Sequence, residues 1–154
     1  MPKLTGTCLC GAVSFKADGL PVFQANCHCK DCRQATGAAF GTLVFMKETD
    51  VKVTGPVKSF KHSVENGNVL SKEFCENCGS QMFVKNSARL GLFGLRAGSI
   101  NEQEHVQPQI NVYAGSKWTS RFLTQICPRQ IRCRHKIYGS YSRNRAAAFA
   151  PMDR

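Results

Sequence analysis

No run of about 18 apolar residues occurs in the 154-residue chain, which excludes a spanning helix of ordinary length. The first residues, MPKLTGTCLCG, contain no apolar stretch of the secretory kind. A reducing, cytoplasmic setting is therefore the expectation. There is no glycine-rich phosphate loop, which argues against a nucleotide-binding reading of that type. There is no internal repeat, which argues against a solenoid. Acidic residues are few, 10 against 21 lysines and arginines. That imbalance invites a nucleic-acid reading, but its distribution weakens it. Residues 1–118 hold 13 basic and 9 acidic side chains, whereas residues 119–154 hold 8 and 1. Most of the excess sits in a short C-terminal stretch. Such a tail attracts polyanions without specificity, so no specific nucleic-acid partner is expected of the body.

Cysteine, by contrast, is abundant. Nine of them occur. An odd count, no secretory segment and Cys-x-Cys spacing together favour metal binding over disulfides. Around them the sequence reads as β. Alternating stretches at 12–17, 21–26, 38–46, 51–54, 57–63, 68–74, 81–85, 90–96 and 110–114 are separated by Gly, Pro and Asn. The expected fold is mostly β, an antiparallel sandwich or barrel-like arrangement. Asn66-Gly67 predicts a two-residue hairpin turn. Only Lys30 to Thr36 reads as a short helical turn. The chain is expected to divide into a zinc domain over 1–118 and a basic, poorly ordered tail over 119–154.

Three cysteine groups stand out: Cys8 with Cys10, then Cys27, Cys29 and Cys32, then Cys75 with Cys78. Residues i and i+2 of an extended chain point to one face, so Cys8 and Cys10 can reach one metal. Cys75-Glu-Asn-Cys78-Gly79 has the form of a zinc knuckle, its glycine free to take a positive φ. A structural zinc takes four ligands, and a catalytic one keeps three with an open position. Cys8, Cys10, Cys75 and Cys78 make one plausible closed set, leaving Cys27, Cys29 and Cys32 as a group of three. The rival pairing joins Cys27 and Cys29 to the knuckle. A further rival closes the triple with His28, Cys127 or Cys133. His28 lies between two ligands and is expected to point away. Spacing alone leaves these open.

The segments GTCLCGAVSF, CHCKDCRQATGAAF and EFCENCGSQMF occur in that order, followed by RAGSINEQEHVQPQINVYAGSKW. Over residues 5–118 the chain resembles the glutathione-dependent formaldehyde-activating enzyme family, which shares its domain with centromere protein V. The resemblance implies an Mss4-like zinc-binding fold of short antiparallel sheets and two Zn²⁺ per chain. It assigns Cys8, Cys10, Cys75 and Cys78 to a structural zinc, and Cys27, Cys29 and Cys32 to a catalytic one. It implies a carbon–sulfur lyase that reversibly joins glutathione and formaldehyde to S-(hydroxymethyl)glutathione. The partner is then a small thiol, with no membrane involved. Two positions depart from the family pattern: Asn101 stands for an Asp, and Gln109 for a His. Lys30, Arg33 and Arg96 are candidates to receive substrate carboxylates or offset an anionic metal centre. His28 and Tyr113 are candidate proton donors. The alternative function is a zinc-stabilised binding module without catalysis, in which all seven signature cysteines are structural. A third class is a redox sensor whose thiols release zinc on oxidation.

Overall fold

The computed structural model describes residues 3–118. The proposed tail, with Cys127 and Cys133, lies outside the described residues. Ten strands and one short helix follow in order: β1 (Lys3–Thr7), β2 (Ser14–Asp18), β3 (Phe23–Cys27), α1 (Lys30–Thr36), β4 (Gly41–Lys47), β5 (Val51–Thr54), β6 (Val57–Ser63), β7 (Val69–Cys75), β8 (Gln81–Asn86), β9 (Leu92–Arg96) and β10 (Ile110–Val112). The expected mostly-β class holds. Nine of the strands coincide with the alternating stretches. The tenth, β1, was not anticipated: its Thr-Gly-Thr core reads locally as a turn, but a five-residue antiparallel register with β2 makes it a strand.

Two sheets result. A small one has the order β1-β2-β5, and a large one runs β10-β3-β4-β9-β8-β7-β6. All pairs are antiparallel except β10 with β3, which run parallel. The β6–β7 connection differs from the expected two-residue turn. Gly67 N–H donates to the Val64 carbonyl (2.8 Å) and Val64 N–H to the Asn68 carbonyl (2.9 Å), closing a three-residue loop. The Asn66 side chain also accepts from Asn68 N–H, which holds that longer form.

Cross-strand partners share a face, so the register sorts the large sheet's side chains. Val44 stands opposite Leu95, Leu95 opposite Phe83, and Met46 opposite Phe93. These side chains meet Leu4, Val13, Phe15 and Ala17 of the small sheet in the main core. Phe15 and Phe83 meet edge to face with centroids 5.6 Å apart, a favoured geometry for aromatic pairs. Each fully buried side chain of this size contributes about 1.5–3 kcal/mol through removal from water.

The opposite face of the large sheet has a different composition. Cys27 stands opposite Gly41, Leu43 opposite Arg96, Gly94 opposite Val84, Val84 opposite Lys72, and Lys72 opposite Phe60. Helix α1 packs on this face, and a second, smaller apolar cluster of Leu43, Val84, Cys27 and Cys32 lies beneath it.

Candidate metal centres

The first centre lies where the two sheets meet. Cys8 and Cys10 follow β1, while Cys75 ends β7 and Cys78 sits in the loop to β8. Their four sulfurs lie within 4.8 Å of one another. Each pair is a tight turn closed by backbone: Gly11 N–H donates to the Cys8 carbonyl (3.1 Å), and Gly79 N–H to the Cys75 carbonyl (2.9 Å). Gly11 and Gly79 take φ of +79° and +69°, a region a side chain enters at a cost. The sulfurs also accept from the chain. Val13 N–H donates to Cys8 Sγ (3.2 Å), and the Ser80 hydroxyl lies 3.2 Å from Cys78 Sγ. Burial raises the Cys78 thiol pKa, but hydrogen bonds from the Ser80 side chain and backbone outweigh it, bringing it down to about 6. Four convergent soft donors with no carboxylate among them suit zinc.

The second centre is built at one end of β3. Cys27 is the last residue of that strand, Cys29 caps α1, and Cys32 lies on its first turn, all three sulfurs within 4.8 Å. Cys29 Sγ accepts from Cys32 N–H (3.3 Å) and lies 3.5 Å from Cys27 Sγ. Cys27 and Cys32 are buried. Hydrogen bonds from the Cys27 and Cys32 thiols, with help from Cys32 N–H and the charge of Lys72, hold the Cys29 thiol well below its usual range. Cys27 is pushed up because it donates to the other two sulfurs and is buried. This set also fits a soft divalent metal, with three donors where the first centre has four. All seven cysteines among the described residues are free thiols.

Among the described residues the knuckle pairing is resolved, while Cys127 and Cys133 lie outside them. The pair Cys8/Cys10 joins Cys75/Cys78, and the triple stands apart. His28 is buried but turned away: Nε2 lies 3.0 Å from Asn111 Oδ1, and its ring packs on Phe40 at 5.2 Å. Its Nδ1 is buried without a partner. Tyr113 is exposed and takes a left-handed φ of +56° just after β10. Lys30 is exposed, and Arg33 is half-buried on α1. The two departures from the family pattern serve the scaffold. Asn101 Nδ2 donates to Thr5 Oγ1 (3.0 Å), and Gln109 Oε1 accepts from Gln24 N–H (3.1 Å).

Two cations lie under the three-cysteine centre. Arg96 is buried on β9, and Lys72 is buried on β7. A Cβ placed on Gly41 would lie 2.5 Å from Arg96 Nη1 and 3.5 Å from Cys32 Cβ. The missing side chain at Gly41 is thus what lets the guanidinium share a space with Cys32. Arg96 Nη2 donates to Gln81 Oε1 (3.3 Å), and Lys72 Nζ donates to the Asp31 carbonyl (2.6 Å). Arg96 was among the candidates from sequence and Lys72 was not. Its signal was a lysine alternating with Leu70 and Phe74 on one strand face. Beside α1 a cavity of about 420 Å³ is lined by Asp31, Gln34, Phe60, His62, Lys72 and Gln81, among others.

A search of curated proteins finds no match. A crystal structure of a Rhodobacter sphaeroides protein is similar, with a TM-score of 0.54 and 17% identity, covering 70% of this chain and 98% of that one. That likeness supports the fold. The family model described as glutathione-dependent formaldehyde-activating enzyme matches residues 3–116, a span that contains both cysteine centres and the whole of both sheets. The chain belongs to the glutathione-dependent formaldehyde-activating enzyme family.

Proposed function

We propose that this chain is a carbon–sulfur lyase of its family's type, holding one structural and one catalytic zinc. The structural ion would be held by Cys8, Cys10, Cys75 and Cys78, and the catalytic one by Cys27, Cys29 and Cys32. The reaction is the reversible union of glutathione, or a related thiol, with formaldehyde. The observation that carries this reading is the inequality of the two centres, one with four sulfurs and one with three. Bound at the three-cysteine set, zinc supplies a position at which a substrate thiol is kept as thiolate at neutral pH.

The chain's own residues supply the surroundings. The Cys29 cap and the Cys32 N–H fix the sulfurs at the start of α1. The cavity beside α1, with polar groups from Gln34, His62 and Gln81 and the ring of Phe60, offers room for a peptide-sized thiol. Addition forms the C–S bond as the carbonyl π pair moves to oxygen, and that oxygen then takes a proton. Tyr113, exposed beside β10, can exchange a proton with water. His28 is the other candidate, its Nε2 lying 3.0 Å from Asn111 Oδ1 and its Nδ1 buried without a partner. Free thiols fit a reducing compartment such as the cytoplasm, and no helix among the described residues is long and apolar enough to cross a membrane.

The test is exchange spectroscopy on formaldehyde, glutathione and their adduct at equilibrium. Wild type is expected to accelerate the exchange and Cys29→Ser to leave it at the spontaneous rate. Equal rates in both would remove the enzyme reading and leave a zinc-stabilised binding module.

A further inference from the structure

Lys72 and Arg96 have no ordinary reason to be where they are. Each is at most 6% exposed. Among the described residues the ion pairs belong to Lys58 and Lys85, and neither buried cation has a carboxylate within reach. Asp31 gives Lys72 its backbone carbonyl, and its carboxylate, though it lines the same cavity, forms no ion pair with Lys72. Arg96 makes a single long bond to Gln81, and its Nε and Nη1 are buried with no partner. A buried cation without an opposite charge is strongly unfavourable. The negative charge that both cations face is that of the cysteine sulfurs. Lys72 Nζ is anchored on the carbonyl of Asp31, the residue before Cys32, and Arg96 Nη1 reaches the space over Gly41 that Cys32 Cβ borders.

Three thiolates around a divalent metal carry a net charge of −1. One buried cation balances that. The half-buried Asp31 and Arg33 of α1 offset each other in formal charge, so the second buried cation leaves one positive charge in excess, which a monoanion entering as fourth ligand would neutralise. We propose that Lys72 and Arg96 are a buried pair of counter-charges that makes the three-cysteine centre select an anionic fourth ligand over a neutral one. They are positioning residues: they would set which charge a metal held by Cys27, Cys29 and Cys32 accepts in a further ligand. This inference rests on the proposed function in placing a metal at Cys27, Cys29 and Cys32, and it narrows the substrate to a thiol taken as thiolate.

Cobalt(II)-loaded protein gives a readout independent of turnover, because its visible bands report the metal's ligands. Azide and imidazole are the probes, one anionic and one neutral. Arg96→Gln and Lys72→Gln should each weaken azide roughly tenfold, while imidazole changes by less than about twofold, since only the charged ligand feels the lost Coulomb attraction. Arg96→Lys should restore most of the azide affinity. If Arg96→Gln does not fold, Lys72→Gln and Lys72→Met carry the same prediction. Equal losses for azide and imidazole, unchanged azide binding, or a wild-type cobalt centre that takes neither ligand would each overturn the proposal. The reading of the enzyme fails separately: the charge-dependent azide binding can hold in a protein that leaves formaldehyde exchange at its spontaneous rate.

Discussion

The two cysteine centres use the same ligand atom in opposite structural settings. The four-cysteine centre joins the turn after β1 to the turn after β7, segments more than 60 residues apart that belong to different sheets. Its residues contribute to the main core. The three-cysteine centre draws its ligands from six consecutive residues and sits on the far face of the large sheet, beside a cavity and two buried cations. A metal in the first closes a long loop between sheets. A metal in the second organises only a strand end and one short helix. The same side chain thus stands at a junction between sheets in one centre and at a strand end beside a cavity in the other.

Breaking the first centre should have the largest effect. If Cys8, Cys10, Cys75 and Cys78 hold the structural zinc proposed above, Cys8→Ser or Cys78→Ser removes one of its ligands, and in such sites metal binding and folding are one equilibrium worth about 10 kcal/mol or more. Loss of the folded far-ultraviolet spectrum is expected at room temperature. Phe15→Ala, which empties the core between the sheets without touching a metal, should cost about 3–5 kcal/mol in chemical denaturation. A Cys78→Ser protein more stable than Phe15→Ala would mean that the junction does not depend on its sulfurs.

Acid sharpens the contrast. Protons compete with metal for thiolate, so both centres lose metal as pH falls, and neither is weakened by a modest rise. The three-sulfur centre has fewer bonds to lose and should release its zinc first, with the fold retained. Zinc release followed with a chromogenic chelator, alongside circular dichroism, should show two separated steps with unfolding in the second only.

Cys29→Ser should be milder. Serine keeps an oxygen at the cap position to accept from Cys32 N–H, so the helix start survives. One zinc should be lost and the melting temperature should fall by only a few degrees, on the order of 1 kcal/mol. Unfolding as severe as that of Cys78→Ser would erase the distinction between the centres. The smallest effect is expected from ending the chain after Ser120. Both centres and both sheets lie within residues 3–118, so zinc content and melting temperature should hardly change if residues 119–154 are the dispensable tail we propose.

Much of this was legible in the sequence, for local reasons. Alternation located β2 to β10 because each strand has one face toward apolar neighbours, and Lys30–Thr36 was recognisable by its polar, unalternating composition. The cysteine groups were legible as groups because ligand spacing is a local property, while spacing alone left their partnership open across 60 residues. What depended on distant contacts was hidden. Gly6 belongs to a strand because β2 pairs with β1, and the ring of Phe15 and the carbonyl of Ser99 occupy the space a side chain would need. The parallel β10–β3 pair arises from strands some 80 residues apart. Lys72 became a candidate only when the register placed it opposite Val84 and beneath α1.

The central claim is that one centre is closed and the other can take a ligand from solution. Zinc-edge absorption of the two-zinc protein, with and without glutathione, tests it directly. Seven protein sulfurs shared by two zincs give about 3.5 sulfurs per metal before the thiol is added. With glutathione the average should rise to about 4, and Cys29→Ser, left with the four-cysteine zinc, should show no change. A wild-type count that is already about 4, or that stays put when glutathione is added, would contradict the division between the two centres.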